Sequence, residues 1–505
     1  ALALPQAPGW PRTTPRLPSS IAPPRGEIHS ATIYAEATGA DVGLRVVLVD
    51  PPKPRWWLLA DTVMPPIGLA YIAGFLRSKG VWVRVLDCTA LGWDWEHLAT
   101  ALEKLEPDVV GVGGPTCYSR RALRVLRMAK ELLGPGVLTV AGGPHFSLLA
   151  EEELRSNDFL DVIVVGEGEL TTYELVRAIE EGRPLTSVLG LALRDERGNV
   201  VFTGERPLIK DLDSLPMPAW DLLPMDRYKL VAWGKRATML VSSRGCPFNC
   251  SFCSERIFWR GVWRPHGARR VVDEMEFVED RYGKDLIWFG DDTFNLSRSR
   301  NVAICREIIE RGLGVAWGIE ARADLVVRDE DIIGLMREAG LFWVLIGVEG
   351  ASDAELRRYG KGVTLKQVKR AFKVLKEHDI ITQAMFIIGE RGDTKASILA
   401  KERLAEELDA DFAIFTPLTP FPGTPLYELA EREGWIEERD WSKYDLAHVI
   451  MPTETLSRRE VRALMIACYK RFFLRPLKLL RGLASRNPYR RAVNAYFLRR
   501  MLFGR

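Results

Sequence analysis

A chain of 505 residues exceeds what one hydrophobic core organises, so two or three domains are expected. Its 47% hydrophobic and 27% charged residues suit a globular protein, and the sequence holds neither an apolar run of the roughly 18 residues a membrane span needs nor an initial secretory stretch. Seven cysteines, three of them within eight positions, exclude a disulfide scaffold and point to a reducing, cytoplasmic setting.

Residues 1–43 are Pro-rich without apolar periodicity, which reads as a disordered leader; the missing initial Met reads as trimming or a partial record. From residue 44 short β-branched runs at 45–49, 81–86, 109–112, 137–140 and 162–165 alternate with helical stretches such as 67–78. That alternation predicts βαβ units, and hence a doubly wound five-stranded parallel sheet over 44–180. Its strands end in turn-forming residues, among them Gly113-Gly114-Pro115-Thr116, Gly142-Gly143-Pro144-His145 and Gly166-Glu167-Gly168-Glu169. Ligands of open α/β sheets bind outside such carboxyl ends, so a crevice is expected there.

Residues 181–235 read as a linker, with two short strands and a run of prolines (Pro216, Pro218, Pro224) that makes a stiff connector. A second strand–helix series follows at 237–242, 285–289, 315–319, 342–347, 382–388 and 412–416. Six units are too few for an eight-stranded barrel, so 236–425 is expected to form a partial (β/α)6 barrel with its chemistry at the carboxyl ends of the strands. Residues 426–505 are expected to be helical. Over 461–505 twelve Lys and Arg stand without any Asp or Glu, so the overall +3 leaves about −9 for the rest of the chain.

Directly after the first barrel strand runs Ser243-Arg244-Gly245-Cys246-Pro247-Phe248-Asn249-Cys250-Ser251-Phe252-Cys253, with the spacing CxxxCxxC. A cubane cluster normally takes four thiolates, and this loop supplies three, while Cys88, Cys117, Cys305 and Cys468 are scattered singly. One iron is then open to a small molecule, as the open position of a catalytic zinc is. A zinc site completed by His266 is the alternative use of the same thiols.

The motif and its place resemble the radical S-adenosylmethionine superfamily. The resemblance implies a [4Fe–4S] cluster on Cys246, Cys250 and Cys253 whose open iron chelates S-adenosylmethionine, and reductive cleavage to a 5′-deoxyadenosyl radical. It further implies an apolar contact from Phe252 to adenine, ammonium contacts from Gly290, Asp291 and Asp292, polar contacts from Glu320 and Arg322, a ribose contact from Glu349, and an adenine-facing segment at Ile388 and Gly389. The α/β domain ahead of the barrel resembles the cobalamin-binding domain of the B12-dependent branch, which implies cobalamin contacts at Thr116, Gly142, Gly143, His145, Gly166 and Glu167. The DxHxxG segment that carries a cobalt-ligating histidine is absent. A dinucleotide or flavin site, or an empty scaffold, is the alternative, and the lack of GxGxxG after the first strand weakens the dinucleotide reading.

Pro420-Phe421-Pro422-Gly423-Thr424-Pro425-Leu426 and the segments after it are similar to the anaerobic magnesium-protoporphyrin monomethyl ester cyclases and their relatives. The expected function is radical functionalisation of an unactivated carbon in a small, apolar substrate such as a lipid, a tetrapyrrole or another secondary metabolite. Methyl transfer and oxidative cyclisation are the two routes, and a non-catalytic cobalamin or iron–sulfur sensor is the rival. An electron donor such as flavodoxin or ferredoxin is implied. The basic tail reads equally as a helix packed on the barrel or as a peripheral membrane contact, and no nucleic-acid partner is expected.

Overall fold

The computed structural model describes residues 43–53 and 63–503. The leader expected at 1–43 lies, apart from residue 43, outside them. The first sheet has the order β2-β1-β3-β4-β5-β6-β7. Its strands are β1 (Arg45–Asp50), β2 (Trp82–Asp87), β3 (Val109–Gly113), β4 (Leu138–Gly142), β5 (Val162–Val164), β6 (Leu191–Arg194) and β7 (Val200–Phe202). β1 to β5 are parallel, as expected from their continuous apolar runs. β6 and β7 add to the edge antiparallel, so part of the stretch read as linker is sheet.

Helices Ile67–Ser78 and Gly168–Glu180 pack side by side, as do Trp95–Leu105 and Ser119–Leu133, giving the two layers of a doubly wound sheet. Strand order reverses at β1, between β2 and β3, which opens a crevice above their carboxyl ends.

The Pro-rich connector is docked closely. Ala219 donates its N–H to the Ala70 carbonyl at 2.9 Å, and a Cβ at Gly74 would stand 2.4 Å from the Met217 carbonyl oxygen. Only glycine lets the helix approach that near.

The second sheet runs β16-β15-β14-β13-β12-β9-β8. Strands β9 (Lys235–Leu240), β12 (Leu286–Phe289), β13 (Ala316–Ala321), β14 (Leu341–Glu349), β15 (Ile381–Ile388) and β16 (Phe412–Pro417) are parallel. β8 (Lys229–Leu230) joins the β9 edge antiparallel. Six parallel strands that do not close on themselves make the partial barrel that the spacing predicts. A short antiparallel pair, β10 (Ser243–Arg244) with β11 (Arg264–Pro265), ties together the two ends of the cysteine loop.

The C-terminal helices cover the barrel's open edge. Helix Arg458–Phe473 begins with a capping box formed by Ser457 and Glu460, and its Tyr469 hydroxyl meets the Phe415 N–H at 3.1 Å and carbonyl at 3.2 Å. A packed helix thus blunts the unpaired edge of β16. Both sheets and these helices fall in one compact unit. Among the described residues no helix is long and apolar enough to cross a membrane.

Candidate active site

The cysteine loop is pinned by the ends of three neighbouring strands. After β12, Asp292 accepts the Gly245 N–H at 3.0 Å, and Thr293 Oγ1 stands 3.3 Å from Cys246 Sγ. After β13, the Arg322 guanidinium lies 3.5 Å over the Phe248 ring. After β14, Ser251 donates its N–H to the Tyr359 carbonyl at 3.0 Å. Gly245 adopts φ +86°, and a Cβ there would lie 2.1 Å from the Val262 carbonyl oxygen, so the turn into Cys246 requires glycine.

Cys246, Cys250 and Cys253 are half-buried and free. Burial raises the Cys250 thiol and pushes Cys253 up to about 12, so both would need a bound metal cation to become thiolates. Three thiols on one loop fit a cubane cluster with one open iron. His266 does not complete a zinc site. Its Nδ1 faces Asp213 at 2.9 Å and its Nε2 faces the Tyr71 hydroxyl at 3.5 Å, so both nitrogens are committed.

Five acids surround the loop. Asp291 is buried and fully engaged: one oxygen accepts the Ser242 N–H at 2.7 Å, and the other accepts the Ser242 and Ser243 hydroxyls at 2.6 and 2.5 Å. It braces the strand that leads into the cysteine loop. Asp292 and Gly290 face the open space instead. Burial, reinforced by Glu255, Asp291 and Glu320, pushes the Asp292 carboxyl up to about 8. Burial together with Glu255, Asp291 and Glu349 pushes Glu320 up to about 7. A space lined by crowded carboxyls suits a cationic guest, since an ammonium or sulfonium relieves their repulsion. Glu255 was not singled out in the sequence, because a lone acid two residues beyond Cys253 forms no pattern.

Glu349 sits at φ +65°, where β14 breaks register with β15. Its carboxylate meets Lys361 Nζ at 2.8 Å; burial would lower the Lys361 pKa, but the charge and hydrogen bond of Glu349 together with the neighbouring Cys250 raise it. A non-glycine residue held in this conformation stores strain of the kind concentrated at ligand sites. Arg322 is committed to Asp324, at 3.1 and 3.2 Å, and to the Lys361 carbonyl at 2.8 Å. Phe252 meets Tyr359 edge-on at 5.5 Å. Ile388 is fully buried, and the Gly389 N–H donates to Asp393 at 2.8 Å.

A cavity of about 470 Å³ opens from the crevice of the first sheet and ends at Gly290 and Asp292. Gly142, Gly143, Gly166 and Glu167 line it. Gly114 and Gly166, at φ +144° and +85°, present open space where a Cβ would project. That glycine-edged cradle fits the face of a bulky corrin. Thr116 and His145 are not among the lining residues. His145 is fully buried, with Nε2 3.0 Å from Glu153 Oε1, and offers no ligand to a cobalt in the cavity.

Glu167 joins the two halves of the site. It accepts Arg244 Nη1 at 2.7 Å, Arg264 Nη1 at 2.8 Å and the Ile209 N–H at 2.8 Å, while Arg244 Nη2 reaches Glu169 at 2.5 Å.

The B12 binding domain family matches residues 59–176, and the Radical SAM superfamily matches residues 240–405. An uncharacterized methyltransferase of Pyrococcus horikoshii is 35% identical over 87% of this chain and 95% of its own. The anaerobic magnesium-protoporphyrin IX monomethyl ester cyclase of Rubrivivax gelatinosus is 34% identical over 81% of this chain and 74% of its own. Among solved structures, the radical S-adenosylmethionine methyltransferase TsrM of Kitasatospora setae, with cobalamin and a [4Fe–4S] cluster bound, superposes with a TM-score of 0.67 at 20% identity, over 85% of this chain and 88% of that one. With a cradle, a three-thiol loop and both domain families in one chain, this protein belongs to the cobalamin-dependent radical S-adenosylmethionine enzymes.

Proposed function

We propose that this enzyme transfers a methyl group to an unactivated carbon of a small apolar substrate, such as a lipid, a tetrapyrrole or another secondary metabolite. One observation carries the reading: the cavity is lined both by Gly143 and Gly166 of the first domain and by Gly290 and Asp292 of the barrel. The proposed seat for a methyl donor therefore opens onto the strand end proposed to hold S-adenosylmethionine, beside the cysteine loop. When bound, the cluster supplies the electron that cleaves S-adenosylmethionine, and cobalamin supplies the methyl group.

The chain's own residues hold these groups. Cys246, Cys250 and Cys253 hold the cluster. Gly290, Asp292 and Glu320 take the cationic part of S-adenosylmethionine, Glu349 its ribose and Phe252 its adenine, whereas Ile388 and Gly389, expected to face adenine, are enclosed by protein. Asp291 and Arg322 keep the surrounding loops in place, since both Asp291 oxygens and Arg322 Nε and Nη2 already meet protein partners. Gly142, Gly143 and Gly166 seat the corrin, with Glu167 fixing the turn beside it.

The 34% identity to an oxidative cyclase favours a second route on the same scaffold. The mass of the product separates the two. A gain of one CH₂ unit from a lipid or porphyrin substrate supports methyl transfer, whereas loss of hydrogens or gain of oxygen identifies the cyclase route. A one-electron donor of the flavodoxin or ferredoxin kind, a cytoplasmic setting and peripheral membrane contact through the basic tail complete the reading.

A further inference from the structure

The tail at 461–505 is fastened to the barrel by some of its basic residues and leaves others outward. Arg471 pairs with Glu402 at 3.0 Å, Arg475 with Glu406 at 3.2 Å, and Arg490 with Asp411 at 2.6 Å and Asp379 at 2.7 Å. Arg462, Lys470 and Arg481 are exposed and have no acidic partner among the described residues. Four large apolar side chains stand beside them in the open: Ile466 at 43% exposure, Leu474 at 50%, Leu477 at 71% and Leu480 at 61%.

Spacing places these residues on one face of each of two successive helices. Arg462, Ile466 and Lys470 follow at intervals of four on helix Arg458–Phe473 and so share a face. Leu477, Leu480 and Arg481 share a face of helix Pro476–Leu483, and Leu474 lies in the turn between the two helices. We infer that these basic and apolar helix faces dock on an anionic phospholipid bilayer.

The charge pattern selects that occupant. Leucines interleaved with unpaired cations, in a stretch without one Asp or Glu, match an apolar interface with a negative surface potential. A second copy would bring two strongly basic faces together. Single-stranded RNA is bound by basic grooves with aromatic platforms, and the outward side chains here are aliphatic. The inference deepens the peripheral contact proposed above, and vesicle binding is read without turnover, so its failure is separate from failure of the methyl-transfer reading.

The test is flotation of the full chain with vesicles of phosphatidylcholine alone and of phosphatidylcholine containing phosphatidylglycerol. The chain is expected to float with the anionic vesicles only and to be released by added salt. Leu477→Glu combined with Leu480→Glu is expected to weaken binding by about tenfold or more. The double variant should keep the wild-type melting temperature and its release of 5′-deoxyadenosine. A wild-type chain that stays in solution, a double variant that floats equally well, or a wild-type dimer that the double variant dissociates would overturn the inference.

Discussion

The Arg244 guanidinium, two residues ahead of Cys246, donates to Glu167 at 2.7 Å in the turn that follows β5 of the cobalamin-binding sheet. Both side chains are almost fully buried, and Arg264 closes the group from the opposite end of the cysteine loop. Burial alone would raise the Glu167 carboxyl, but Arg244 and Arg264 hold it below the usual carboxylate range. Loop and cradle are therefore fixed to one another by charge where solvent does not screen it.

Glu167→Gln leaves the buried Arg264 without a carboxylate partner and Arg244 with Glu169 alone. Removing one member of such a group costs about 3–5 kcal/mol. Urea unfolding of the cofactor-free chain should show that loss, whereas Arg177→Ala, in the exposed pairs with Glu180 and Glu181, should leave the midpoint unchanged. An unchanged midpoint for Glu167→Gln would show that the junction is held by other contacts.

Cys250→Ala removes one of three thiols from the loop and nothing from the cradle. The variant should lose the cluster's visible absorbance after anaerobic reconstitution while still retaining cobalamin through gel filtration. Loss of both cofactors together would mean that the two seats are not separable.

Gly166→Ala places a methyl group at φ +85°, pointing into the cavity rather than against protein. Backbone strain of about 1 kcal/mol is expected from the conformation. Cobalamin affinity should fall by about tenfold, measured by equilibrium dialysis, with the cluster unaffected.

His266 gives the fold an acid limit. Burial first, then the charges of Arg270 and Arg244, depress its pKa to about 4 from 6.5, against the opposing hydrogen bond to Asp213. A group with a depressed folded pKa leaves stability intact above 6.5, and that stability is lost as pH falls towards 4, because only the unfolded chain takes up the proton. The full loss is about 3 kcal/mol. His266→Gln should flatten this part of the pH–stability curve, and an equally steep curve in the variant would assign the acid limit elsewhere.

The positions of the strands were legible because βαβ units write themselves as β-branched runs between amphipathic helices, and the CxxxCxxC spacing is a local signal. Commitments made across the fold were not. Nothing near Asp291 in the chain shows that Ser242 and Ser243, nearly fifty residues away, engage both its oxygens. Arg322 looks like a free cation until Phe248 and Asp324 are placed beside it. His145 sits next to the lining glycines in sequence, yet the helix it enters, Pro144–Leu148, turns its ring inward to Glu153. β6 and β7 read as strands in the sequence but not as part of the sheet, since pairing partners of edge strands leave no mark in a single sequence.

The central claim is that the three-cysteine loop cleaves S-adenosylmethionine reductively. It is tested most directly by quantifying 5′-deoxyadenosine from the anaerobically reconstituted chain given S-adenosylmethionine and dithionite. The wild-type chain should release it, and the variant with Cys246, Cys250 and Cys253 all replaced by Ala should release none. A reconstituted wild-type chain with its cluster in place that forms no 5′-deoxyadenosine would contradict the account and favour a cobalamin or iron–sulfur sensor.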